Sequence, residues 1–117
     1  MLVSALARVE VAATLWRKHC TGEIGSGALE TLLAEFEADL GGTEDELPRF
    51  TVVRVTTSVL EYAAQLVVRH PLRAYDAVQL ATAAAARTAD PRCSTFACLD
   101  ARLSAAASGE KFELLSL

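Results

Sequence analysis

The chain has 117 residues, which suits a single domain over residues 1–117. Hydrophobic residues make up 52% and charged residues 22%, enough apolar material for a packed core and a balance that argues against disorder. The formal net charge is −4 and Lys and Arg form no run, which argues against a DNA-reading module with a basic stripe but not against a nuclease whose carboxylates meet phosphate through a divalent metal.

In chain order, Leu2-Val3-Ser4 reads as the tail of a buried strand, with Ser4 a plausible cap for the helix that follows over residues 5–19. Leu6, Val9, Ala13, Trp16 and Cys20 share one face of that helix, which reads as its core-facing side, and Glu10 projects about 80° from the stripe's centre. Residues 21–27 are a turn cluster. A second amphipathic helix over 28–40 carries Leu29, Leu32, Leu33 and Phe36 inward and stops at Gly41-Gly42. An acidic loop over 43–47 and Pro48 lead to a β-rich strand over 50–55.

Thr56 or Thr57 can cap a helix running to about Arg69, with Val59, Leu60, Ala63, Leu66 and Val67 as its apolar residues. His70-Pro71 breaks it. The longest Ala-rich helix follows, from Leu72 or Arg73 to Arg87, where Ala77, Leu80, Ala81 and Ala84 make a flat face that allows close backbone approach. Asp90-Pro91 is a turn, residues 94–98 a buried strand, 101–108 a short helix ended by Gly109, and 112–115 a last strand. Strands alternating with helices imply a parallel sheet covered by helices.

The three cysteines, Cys20, Cys93 and Cys98, lack zinc-type spacing and read as small buried apolar residues in a reducing compartment. No apolar run reaches the length of a membrane span, and Arg8 and Glu10 interrupt the opening segment, against a signal peptide. A cytoplasmic protein with no membrane contact is expected. His19 and His70 read as surface or helix-end residues.

Three carboxylates stand at or near probable helix starts: Glu10, Asp76 and Asp100. In an open parallel sheet, ligands gather beyond the carboxyl ends of the strands. Converging carboxylates repel one another, and a divalent Mg²⁺ or Mn²⁺ ion relieves that repulsion. Each also has a plainer reading: Asp100 as a helix cap, Asp76 as a favourable charge near a helix N-terminus, and Glu10 as a solvated flank residue.

The wording around the three resembles the PIN-domain family, and within it the VapC-type toxins of toxin–antitoxin pairs. SALARVEVAATLWR is similar to the family's second strand and Glu-bearing helix, LRAYDAVQLATAAA to its Asp-Ala motif, and STFACLDARLSAAA to the strand and turn bearing a further Asp. The resemblance implies an α/β fold, a three-layer α/β/α sandwich with a short parallel sheet. It also implies a metal-dependent endoribonuclease, with Glu10, Asp76 and Asp100 as catalytic residues and as ligands to Mg²⁺ or Mn²⁺. RNA is the implied substrate; a cognate antitoxin and a second copy in a homodimer are the implied protein partners. Arg102 lies close enough to touch phosphate, with a surface salt bridge the readier role.

The chain departs from the family's pattern in three ways. Cys98 stands where a hydroxyl residue is usual, and Gln79 where His is common. The usual first strand and its Asp find no counterpart before Leu2, which makes the domain N-terminally incomplete through a misassigned start codon, a truncation or a natural remnant. A weak or inactive nuclease is expected. Two other readings stay open: a catalytically inactive PIN-like module for protein interaction, and an Ala-rich helical adaptor.

Overall fold

The structure is a computed structural model that describes residues 1–115. Its elements are β1 (Leu2–Ser4), α1 (Ala7–Cys20), α2 (Ser26–Gly41), β2 (Thr51–Val53), α3 (Thr57–Arg69), α4 (Ala74–Ala89), β3 (Thr95–Phe96), α5 (Ala101–Gly109) and β4 (Glu113–Leu114). The fold is α/β with parallel strand pairing, which excludes the purely helical reading. The chain divides into two compact units, Met1–Val53 and Arg54–Leu117. Among the described residues no helix is long and apolar enough to cross a membrane.

In the first unit β1 and β2 pair in parallel, with Val3 opposite Val52. Ser4 does not cap α1 as expected. It is buried, and its hydroxyl instead accepts the Leu6 N–H at 3.2 Å, an i to i+2 bond that turns the chain out of the strand. The helix therefore starts later, at Ala7, with no side-chain cap.

That later start accompanies a second correction. No residue of α1 is buried, Val9 and Trp16 are 67% and 57% exposed, and Val11 and Leu15 are half-buried in their place. Helix α2 is inward at Leu29, Leu33, Phe36 and Leu40, whereas Leu32 points outward. Phe36 meets Phe50 with ring centres 6.2 Å apart. Gly42 ends α2 at φ 75°, and a Cβ there would lie 2.9 Å from the Glu46 carbonyl oxygen and from Pro48, so only glycine suits the position.

The second unit holds most of the buried apolar side chains. Thr56 caps α3 as expected, its hydroxyl accepting the Val59 N–H at 3.2 Å. Val59, Ala63 and Leu66 are buried on α3, spaced by four and three residues. Leu60 and Val67, also expected inward, lie on the other flank and are 50% and 43% exposed. Helix α4 buries Ala77, Val78, Leu80, Ala81 and Thr82, and Leu66 and Leu80 are fully enclosed. The Thr82 hydroxyl bonds the Val78 carbonyl, so its burial leaves no unmet donor.

Strands β3 and β4 pair in parallel with Phe96 opposite Leu114. Phe112 is buried, 5.8 Å from the Phe96 ring, and the Arg87 guanidinium lies 3.9 Å from its face. The cysteines are corrected as well: Cys20 is exposed and Cys93 and Cys98 are half-buried, all three free.

Just after α5, Glu110 gathers three partners. Its carboxylate accepts Tyr62 Oη–H at 2.8 Å and Arg69 Nη1–H at 2.5 Å, and it lies 3.2 Å from His70 Nε2. Burial pushes the Glu110 carboxyl up, but the hydrogen bonds from Tyr62, His70 and Arg69 outweigh it and hold its pKa below the usual range. His70 is thus a helix-end residue with a partner forty positions away, beyond the reach of any local spacing rule.

Two stability measurements follow. Leu66→Ala should cost about 2–5 kcal/mol in urea unfolding, and Leu60→Ala less than about 1 kcal/mol; equal losses would contradict the assigned faces. A carboxyl with a lowered folded-state pKa stabilises the fold above its unfolded value, about 4.3, and that contribution disappears as pH falls through the folded value. Urea midpoints should therefore drop for the wild type below about pH 4.3 by more than they do for Glu110→Gln.

Candidate active site

Helix α4 begins after the extended residue Arg73, at φ −71° and ψ 155°, because Pro71 has already ended the preceding helix and no side chain caps the new one. Asp76 falls in the first turn of α4 with its side chain 18% exposed. Its Oδ2 lies 3.7 Å from Arg73 Nε. That guanidinium is 83% exposed, so the pair is a weak surface contact.

Helix α5 begins at Asp100 in the plainer role already weighed for it. Its Oδ1 accepts the Leu103 N–H at 2.9 Å as an N-cap. Oδ2 accepts no hydrogen bond from the described residues. Just upstream, Cys98 Sγ lies 3.0 Å from Ser104 Oγ and 3.6 Å from the Asp100 carbonyl oxygen.

These two helix starts line one pocket of about 440 Å³, formed by Pro71, Arg73, Asp76, Asp100, Ala101 and Arg102. Two carboxylates and two guanidiniums thus share a polar cleft in the second unit. Both carboxylates sit at helix N-termini, where the helix dipole favours negative charge. Arg102 departs from expectation. It makes no salt bridge with any described residue and lines the pocket.

Glu10 belongs to the first unit. It lies in the first turn of α1, is 44% exposed and stands 3.9 Å from Arg17 Nη2. Among the described residues, no group of three or more His, Cys, Asp or Glu side chains is arranged to hold a metal ion. The structure therefore brings Asp76 and Asp100 into one pocket. Sequence reasoning missed Arg73, although its position three residues before Asp76 in LRAYD was a usable signal.

The donor chemistry nonetheless suits a hard cation. Mg²⁺ is commonly held by one or two carboxylates, with water and substrate phosphate completing its octahedron. The pocket offers no thiolate or imidazole of the kind a zinc site uses.

A family model of the PIN domain matches residues 1–107 of the chain. No curated protein matches it, nor does any solved structure.

The two roles of Asp100 separate by substitution. Asp100→Ala should lower stability by about 1 kcal/mol through loss of the cap. Asp100→Asn keeps a good capping side chain and should stay within about 0.5 kcal/mol of wild type. Thermal melts of both variants, compared at equal protein concentration, check this.

Proposed function

The chain belongs to the PIN-domain family, and on that premise we propose that it is a Mg²⁺- or Mn²⁺-dependent endoribonuclease of the VapC toxin type. PIN domains are generally nucleases, so phosphodiester hydrolysis is the coarse expectation. The supporting observation is that Asp76 and Asp100, from two separate helix starts, line the same open pocket. They would hold the cation between them; Glu10 is a further ligand only as the family resemblance implies it.

When bound, such a cation lowers the pKa of water and offsets charge on the scissile phosphate. The protein's own contribution is placement. Asp76 is largely buried on a helix whose face packs into the core, so its carboxylate has little freedom. Asp100 is fastened through Oδ1 to the Leu103 N–H, which leaves Oδ2 uncommitted.

Partners follow from the same reading: RNA as substrate, and a cognate antitoxin and a second copy as protein contacts, in the cytoplasm. Leu60, Val67 and the 90% exposed Val68 on α3 supply apolar surface for such contacts. The alternative is a catalytically inactive interaction module that keeps the same scaffold.

Cleavage of a labelled RNA should require Mn²⁺ or Mg²⁺ and disappear in EDTA. Asp76→Asn, Asp100→Asn and Glu10→Gln should each reduce it more than about 100-fold, beyond the loss seen when only the outer partners of metal ligands are removed. If the wild type neither binds Mn²⁺ nor cuts RNA, the inactive module is the correct reading.

A further inference from the structure

Two carboxylates alone make a poor seat for a polyanion, since they repel the phosphodiester that a nuclease must hold. The pocket's two guanidiniums are the groups that can reverse this. Arg102 makes no salt bridge with any described residue. Arg73 touches Asp76 only through Nε at 3.7 Å, so its two terminal nitrogens form no hydrogen bond with the described residues. By contrast, Arg8, Arg69 and Arg92 are engaged with Glu37, Glu110 and Asp90 through contacts of 2.5–2.8 Å.

A guanidinium presents a planar fork that matches two phosphate oxygens, and an exposed one gives up little to turn towards them. Asp76 and Arg73 lie at the start of α4, and Asp100 and Arg102 at the start of α5, so each acid has a base on the same rim.

We propose that Arg73 and Arg102 are the phosphate-holding groups of this pocket, gripping the backbone of the nucleic acid while Asp76 and Asp100 face the cation. The proposal rests on the nuclease reading above and names the groups that hold its substrate. Arg73 has a double part: it stands weakly paired with Asp76 in the free protein and turns to phosphate when Asp76 is otherwise engaged. Removing either guanidinium should weaken nucleic-acid binding without weakening cation binding. A merely structural arginine would weaken both together.

The test uses the full chain and two readouts. Mn²⁺ binding alone is measured by calorimetry. Binding of a fluorescein-labelled, non-cleavable 2′-O-methyl oligoribonucleotide is measured by anisotropy in Mn²⁺ at several KCl concentrations. Arg73→Gln and Arg102→Gln should each weaken the oligonucleotide about tenfold and reduce the slope of log K against log salt by about 0.7, the contribution of one phosphate contact on a single strand. Mn²⁺ should bind as tightly as in the wild type, or up to about fivefold tighter for Arg73→Gln as Asp76 loses its counter-ion.

Arg102→Lys should keep the wild-type slope, as should Arg92→Gln, whose guanidinium is paired with Asp90. Unchanged slopes in both pocket variants overturn the proposal, as does a parallel loss of Mn²⁺ binding. A wild type that binds Mn²⁺ but not the oligonucleotide overturns it while leaving the metal site standing. A wild type that binds neither overturns the nuclease reading as well.

Discussion

The packing of α3 along α4 is the constraint on which the candidate site depends. It is the most extensive contact between any two elements, and it encloses Leu66 and Leu80 completely. Ala77 and Ala81 are nearly solvent-free on the same helix, and their small side chains allow the close approach. Asp76 immediately precedes this buried stretch. A carboxylate one residue before a buried face is held at the margin of the core, where it keeps access to solvent but not the freedom of a surface side chain.

The same helix α3 also governs the second half of the pocket. Tyr62 and Arg69 on α3, with His70 just beyond it, clasp Glu110 at the end of α5. Phe112 then buries itself against Phe96 beneath the Arg87 guanidinium. Helix α5 is therefore tied to α3 at its far end and presents its start, with Asp100 and Arg102, to the cleft. The interior clasp is electrostatic, yet its carboxylate is only 10% exposed and all its partners are hydrogen-bonded, so it is far less screened than the exposed ion pairs of the first unit.

Asp100 shows how a helix cap can leave one carboxylate oxygen uncommitted. A carboxylate has two oxygens with room for several hydrogen bonds. Using one oxygen to cap α5 orients the other, at no cost in charge. The capping reading and the ligand reading, opposed when the chain is considered locally, are compatible once the cap geometry is known.

The local pattern of residues determined a large part of this protein. It places the helices and strands of the described residues close to their observed positions, because caps such as Thr56 and Asp100 and breakers such as Gly42 and Pro71 act over a few residues. It also singles out Asp76 and Asp100, whose surrounding motifs carry the family resemblance. Only the tertiary structure decided which face of each helix is buried. On α1 the apolar stripe through Val9 and Trp16 is left exposed, and on α3 Leu60 and Val67 are, because a helix can turn more than one apolar stripe towards its neighbours and periodicity does not say which one packs. Tertiary structure alone likewise brought the segment bearing Arg73 and Asp76 to the segment bearing Asp100 and Arg102 and joined His70 to Glu110, since pairings between distant positions depend on how the helices dock and leave no trace in local spacing.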